Sequence, residues 1–201
     1  MREVFHEAVD RLENGESVVV ATVIRTKGST PQKPGAKLLV RQDGTGAGTL
    51  GGGCVEGDIW FAASQLMKRG GNAQYREYQL NEDLAADDGL VCGGTMYFLI
   101  DPVYKPQEYL QYAKEIDAAY RGEGAVAIAN LIKPPPNSNL PLGGKMFIRE
   151  NGHSEGTLGD RLIDDAAKEK AFELMVHGKN EYVTTDNETE YFVEAFTTPP
   201  Q

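Results

Sequence analysis

A chain of 201 residues holds one domain or two small ones on a scale of roughly 100–200 residues per domain, and its 40% hydrophobic content supplies a core without disulfide staples. Thirty acidic against 20 basic residues give a formal charge of −10, which argues against a nucleic-acid partner, because phosphate binding relies on clustered Lys and Arg. No apolar run approaches the ~18 residues that suggest a membrane span, and Met1 to Asp10 carry neither an apolar signal core nor an Arg-rich transit pattern, so the cytoplasm is the expected compartment.

From the N-terminus, Val4, Phe5, Ala8, Val9 and Leu12 recur at helical spacing and stop at Asn14-Gly15, predicting an opening helix. The β-branched run Ser17 to Thr26 predicts a central strand. A Pro-punctuated loop leads to a strand at Lys37–Arg41, and Asp43-Gly44 is a two-residue hairpin signal before a third strand ending at Leu50. Val55, Ile59, Ala63 and Leu66 then form the apolar face of a second helix, followed by strands near Tyr75–Leu80 and Thr95–Ile100.

The same programme runs again. At an offset of 108 residues Lys37 falls on Lys145, with Val18, Ala21 and Ile24 on Val126, Ala129 and Ile132. Gly48-Thr49-Leu50-Gly51 falls on Gly156-Thr157-Leu158-Gly159. After Gly70 the register shifts, and Tyr97-Phe98 matches Tyr191-Phe192 at an offset of 94, so the second copy is 14 residues shorter. The second copy accordingly predicts a helix around Leu110–Tyr120, strands at Ala125–Ile132 and Lys145–Arg149, and a hairpin at Asn151-Gly152. A helix on Ile163, Ala167, Ala171 and Leu174 follows, then strands at Tyr182–Thr185 and Glu190–Glu194. The expected fold is α/β in the α+β sense: a mixed sheet with flanking helices, built from two degenerate copies (about 1–103 and 104–201) in a single domain with a pseudo-two-fold relation.

A scaffold persists in both copies, whereas a site needs only one, so the differences are informative. Gly51-Gly52-Gly53-Cys54-Val55-Glu56 becomes Gly159-Asp160-Arg161-Leu162-Ile163-Asp164, and Asn81 to Gly94, containing Cys92, has almost no counterpart. Both cysteines therefore lie in features peculiar to the first copy. Two cysteines are too few for a disulfide framework and lack the spacing of a structural zinc site. Glycines opening onto a helix allow close backbone approach by a ligand, and the first-turn N–H groups favour anions. A thiol at that position tends toward the thiolate, which binds soft metals and attacks electrophiles; the competing reading of Cys54 is a small buried hydrophobe. Cys92, between acidic residues and Gly93-Gly94, competes with burial at a strand start.

Gly46-Ala47-Gly48-Thr49-Leu50-Gly51 spells a dinucleotide-binding fingerprint, but it lies where a strand is predicted rather than between strand and helix, and reads as a hairpin. The loop Arg25 to Gly35 offers Lys27, Ser29, Thr30 and Lys33 as donors for phosphate or another oxyanion; its counterpart, Lys133 to Asn139, loses most of them. His6, His153 and His177 are scattered and suggest neither a triad nor a metal cluster.

Together, Ala21 to Pro31 with Pro34-Gly35-Ala36-Lys37, Gly51-Gly52-Gly53-Cys54-Val55-Glu56 and Cys92-Gly93-Gly94 resemble the xanthine dehydrogenase accessory protein family, XdhC/CoxI. The likeness runs from about residue 5 to Pro200. It ends where many members continue into a Rossmann-like domain, so the expectation is the family's first region alone. The resemblance implies a chaperone that carries molybdenum cofactor (molybdopterin) and delivers it to xanthine dehydrogenase or a related molybdenum hydroxylase, without turnover of its own. A cysteine desulfurase and a second copy of the chain are further partners under this reading.

The cofactor presents metal, sulfur, oxo groups and a phosphate, so the resemblance and the residue chemistry assign cofactor-binding roles as follows. Cys54 contacts the metal, and Cys92 is a second metal contact or a sulfur relay. Gly52, Gly53 and Gly93 give backbone access; Glu56 orders the helix start or hydrogen-bonds the pterin; Lys27, Ser29 and Thr30 receive phosphate. Asp83, Asp87 and Asp88 face the client. The rival readings are a thiol-dependent enzyme or oxidoreductase component using Cys54, and a truncated scaffold that binds only the apo-dehydrogenase.

Overall fold

A computed structural model describes residues 2–80 and 93–198. Helix α1 (Arg2–Glu13) precedes β1 (Val18–Lys27), β2 (Lys37–Arg41) and a short β3 (Gly46–Gly48), and α2 (Gly53–Arg69) leads to β4 (Gln74–Gln79) and β5 (Thr95–Val103). The same order follows with α3 (Pro106–Tyr120), β6 (Val126–Lys133), β7 (Lys145–Arg149), β8 (Ser154–Gly156), α4 (Arg161–Met175), β9 (Asn180–Thr184) and β10 (Glu190–Phe196). None of these helices is long and apolar enough to cross a membrane.

The α+β class with flanking helices is as expected, but the single mixed sheet resolves into two sheets, ordered β3-β2-β1-β5-β4 and β8-β7-β6-β10-β9. Every neighbouring pair is antiparallel. Connectivity explains this. A helical crossover makes parallel neighbours only when it joins adjacent strands, and α2 and α4 carry the chain from one sheet edge to the other, so the strands they join never pair.

Both hairpins form at the expected place but with a different turn. Only Gly44 and Gly152 adopt positive φ, at 85° and 89°, with Gly44 N donating to Arg41 O and Gly152 N to Arg149 O at 3.0 Å each. The glycine thus follows a right-handed turn instead of sharing a two-residue turn with Asp43 or Asn151. The third strands are also shorter than expected, leaving Leu50 and Leu158 just beyond them, buried under α2 and α4.

Central strand β1 is buried on both faces from Val18 to Ile24, which is why it is apolar without alternation. Val19, Ala21 and Val23 meet Ile59, Ala63 and Leu66 of α2; Ala127, Ala129 and Leu131 meet Ile163, Ala167, Ala171 and Leu174 of α4. Each fully buried Leu or Ile contributes about 1.5–3 kcal/mol. On the other face, Val18 and Val20 pack on Val4, Ala8 and Leu12 of α1, whereas Ile24 and Leu99 pack on Ile132 and Phe192 of the second sheet. The sheets therefore meet directly at one end and are wedged apart by α1 and α3 at the other.

A polar layer lies between these apolar zones, at the level of Thr22. Lys37 Nζ sits 2.5 Å from Glu194 Oε2 and donates to Thr22 Oγ1 at 3.2 Å. Lys145 Nζ sits 2.5 Å from Asp101 Oδ2. Each lysine reaches a carboxylate of the other half, so the pairs cross the join. Farther out, Arg41 holds Glu7 and Arg149 holds Glu115, each at 2.6 Å, again at matching positions.

Candidate functional site

The glycine turn before α2 and the Gly93-Gly94 pair, both peculiar to the first copy, lie at one end of the first sheet. Lys27 at the end of β1 pairs with Thr95 at the start of β5, and Gln79 of β4 pairs with the same Thr95. The loop after β1 then folds over both neighbours. At Gly94 a Cβ would meet Ser29 O and lie 2.7 Å from Lys27 O, so only glycine lets β5 begin against this loop. Gly51 has a φ of 106°, and a Cβ there would lie 2.8 Å from Pro31 Cβ. The Lys27–Pro31 loop is thus clamped between the glycine turn before α2 and the Gly93-Gly94 pair before β5.

Glu56 organises the glycine turn from within. Its Oε2 accepts from Thr49 Oγ1 at 2.7 Å, Leu50 N at 2.6 Å and Gly52 N at 3.1 Å. Burial pushes this carboxyl up, but the Thr49 hydroxyl and the Leu50, Gly52 and Gly51 amides outweigh it and hold it below the usual range. Asp164 makes the same contacts to Thr157 and Leu158, both at 2.7 Å. Of the two roles considered for Glu56, ordering the helix start is therefore shared by both copies and belongs to the scaffold.

The helix starts themselves differ. In the second copy Asp160 caps α4, accepting from Leu162 N at 2.8 Å and Ile163 N at 3.2 Å. At the matching place α2 begins after Gly52, with φ 74° and no side-chain cap. The first-turn amides of α2, at the positive end of the helix dipole, have no side-chain acceptor among the described residues. Cys54 lies in that first turn and is exposed, which removes the reading of a small buried hydrophobe. Beside it, Gly53, Glu56, Trp60 and Phe61 line an open groove along α2, with Phe61 65% exposed.

Gly52, Gly53, Lys27, Ser29 and Gly93 are exposed and Thr30 is half-buried. Thr30 Oγ1 already donates to Gln32 O at 2.9 Å, bracing the loop. Cys92, with Asp83, Asp87 and Asp88, lies outside the described residues. Among the described residues no group of three or more His, Cys, Asp or Glu is placed to hold a metal ion.

Residues 11–79 match the sequence model of the XdhC and CoxI family. The resemblance to that family is borne out. The XdhC and CoxI match contains the Lys27–Thr30 loop, the glycine turn and Cys54, and ends before Cys92. Among curated proteins, one from Bacillus subtilis named as a probable xanthine dehydrogenase subunit is 29% identical over 151 residues, 74% of this chain and 43% of the relative. "Molybdenum cofactor insertion chaperone PaoD" of Escherichia coli is 29% identical over 117 residues, 58% of this chain and 36% of the relative. The chain thus spans less than half the length of these two relatives. A solved structure described as a xanthine dehydrogenase from Bacillus halodurans superposes with a TM-score of 0.64, covering 95% of this chain and 53% of that one at 22% identity; that likeness concerns the fold.

Sequence reasoning missed two supports. Asn180 of the second copy donates to Pro34 O at 3.0 Å and anchors the far end of the site loop. The buried Lys37–Glu194 pair was also missed, although a lysine standing at matching positions of two apolar strands, Lys37 and Lys145, was the available signal.

Proposed function

We propose that this chain carries molybdenum cofactor during maturation of xanthine dehydrogenase or a related molybdenum hydroxylase. Relatives named as a molybdenum cofactor insertion chaperone and as a probable xanthine dehydrogenase component support this class of role. The observation that carries it is the contrast between helix starts. Where the second copy closes its helix with Asp160, the first has Gly52 at that place, and among the described residues no side chain caps the α2 amides beside the exposed Cys54 thiol. That donor set suits the cargo: a soft sulfur ligand for molybdenum, and backbone N–H groups for its anionic oxygens.

In this reading Cys54 contacts the metal, and Gly52 and Gly53 admit the cargo to the backbone. Lys27 and Ser29 reach the terminal phosphate, while Thr30 shapes the loop. Cys92 supplies a second thiol, and Asp83, Asp87 and Asp88 face the client enzyme. The cargo stays oxidatively and covalently unchanged, so binding and release are the whole task.

Handover is the test. Chain loaded anaerobically with sulfurated cofactor should reactivate a cofactor-free molybdenum hydroxylase, and Cys54→Ser should load poorly and reactivate little. Equal reactivation by Cys54→Ser would remove the thiol from the reading. Substrate turnover by the isolated chain would favour a thiol enzyme instead.

A further inference from the structure

The polar layer between the two sheets borders a partly open cavity of about 30 Å³, lined among others by Thr22, Lys37, Asp101, Asn130, Lys145 and Glu194. None of its lining residues belongs to the Cys54 site. Two polar atoms on its wall have no hydrogen-bond partner among the described residues: Asn130 Nδ2, a donor, and Glu194 Oε1, an acceptor. Their residues are 9% and 6% exposed. Buried polar groups of this kind are nearly always paired, with protein or with ordered water.

Strand register places the two residues as neighbours. Asn130 of β6 stands opposite Phe192 of β10, and Glu194 lies two residues farther along β10, so both side chains occupy one face as a diagonal pair roughly 7–8 Å apart. Whatever joins them must accept from an amide N–H and donate to a carboxylate oxygen. The ionic lining is balanced, two lysines against two carboxylates, and so selects neither a cation nor an anion. At about 10–15 Å³ per water on this measure, the cavity has room for about two. The first copy needs no such bridge, because Thr22, the match of Asn130, already accepts from Lys37.

We propose that this cavity is a built site for internal water, in which a molecule accepts from Asn130 Nδ2 and donates to Glu194 Oε1 within the join between the two halves. The water is an integral part of the polar layer, pairing the two lining atoms that have no partner among the described residues.

The test uses the full ¹⁵N-labelled chain in solution. Water-selective NOE and ROE spectra should show cross-peaks of opposite sign at the Asn130 side-chain amide, the signature of water held far longer than a molecule of the surface hydration layer. Oxygen-17 relaxation dispersion, which is blind to exchanging hydroxyl and ammonium protons, should count at least one fewer long-lived water in Asn130→Leu. Absence of the wild-type cross-peaks overturns the proposal. So does an unchanged count in a folded Asn130→Leu chain. If that variant does not fold, Asn130→Thr replaces it, carrying the residue found at the matching Thr22, and the wild-type spectrum remains decisive by itself.

Discussion

Replacing Lys37 by Met keeps an unbranched side chain one atom shorter and removes its charge from beside Glu194, and the pair it breaks is only 4% and 8% exposed. Removing one partner from a buried pair costs about 3–5 kcal/mol, because the other charge is left without compensation. For a chain of this size about 2–4 °C of Tm accompanies each kcal/mol, so the variant should melt about 6–20 °C below wild type. Urea denaturation followed at the single Trp, Trp60, half-buried on α2, measures the loss. Burial pushes the Glu194 carboxyl up, opposed by Lys37. Without the lysine nothing opposes that rise, so the variant's deficit should shrink as pH falls and Glu194 takes up a proton. The double variant Lys37→Met/Glu194→Leu should recover most of the stability, since apolar replacement of a whole buried pair is often neutral. Lys145→Met should cost less, because its pair is 22% and 18% exposed. A loss below about 1 kcal/mol in Lys37→Met, or a double variant no better than the single one, would refute the buried pair as a tie across the join.

Two further outcomes follow from the site loop and the surface carboxylates. Gly51→Ala combines an unfavourable φ of 106° with a Cβ 2.8 Å from Pro31 and should cost about 1–3 kcal/mol; a calorimetric midpoint equal to wild type would mean that the loop is not clamped there. Hydrogen bonding by Arg41, then Arg11, holds Glu7 below the usual carboxylate range, and Arg149 does the same for Glu115. Their stabilisation is present above the unfolded value of 4.5 and is lost as pH falls through the lower native values. Glu194 runs the opposite way, because its raised native value makes proton uptake favour the fold. Stability should therefore fall below about pH 4 in both chains, whereas acidification from neutral pH toward about 4.5 should favour wild type over Glu194→Gln. A flat profile in either chain down to pH 3 would contradict this.

Local patterns announced the elements and the join concealed its chemistry. Apolar spacing placed α1 and α2, and β-branched runs placed β1 and β6, because those signals are written within a few consecutive residues. The split into two sheets is invisible at that range: it depends on α2 and α4 spanning a sheet from edge to edge. Turn type was misread for a similar reason, since Asp43-Gly44 fits two hairpin geometries and only the pairing of Arg41 with Thr45 distinguishes them. Comparing copies within one chain was the most productive reading of the site. It singled out Cys54, the glycine turn and Gly93-Gly94, and the fold brings the last two against one loop. It could not show that Glu56 is scaffold until Asp164 was seen making the same contacts. Partners from the distant half, Asn180 and Glu194, left no local trace.

Anaerobic titration of the purified chain with sulfurated molybdenum cofactor, following bound molybdenum and pterin together, tests the central claim most directly. Wild type should bind stoichiometrically, and Cys54→Ser, folded as judged by an unchanged melting curve, should lose most of that affinity. No binding by wild type, or undiminished binding by Cys54→Ser, would contradict a carrier site built at the start of α2.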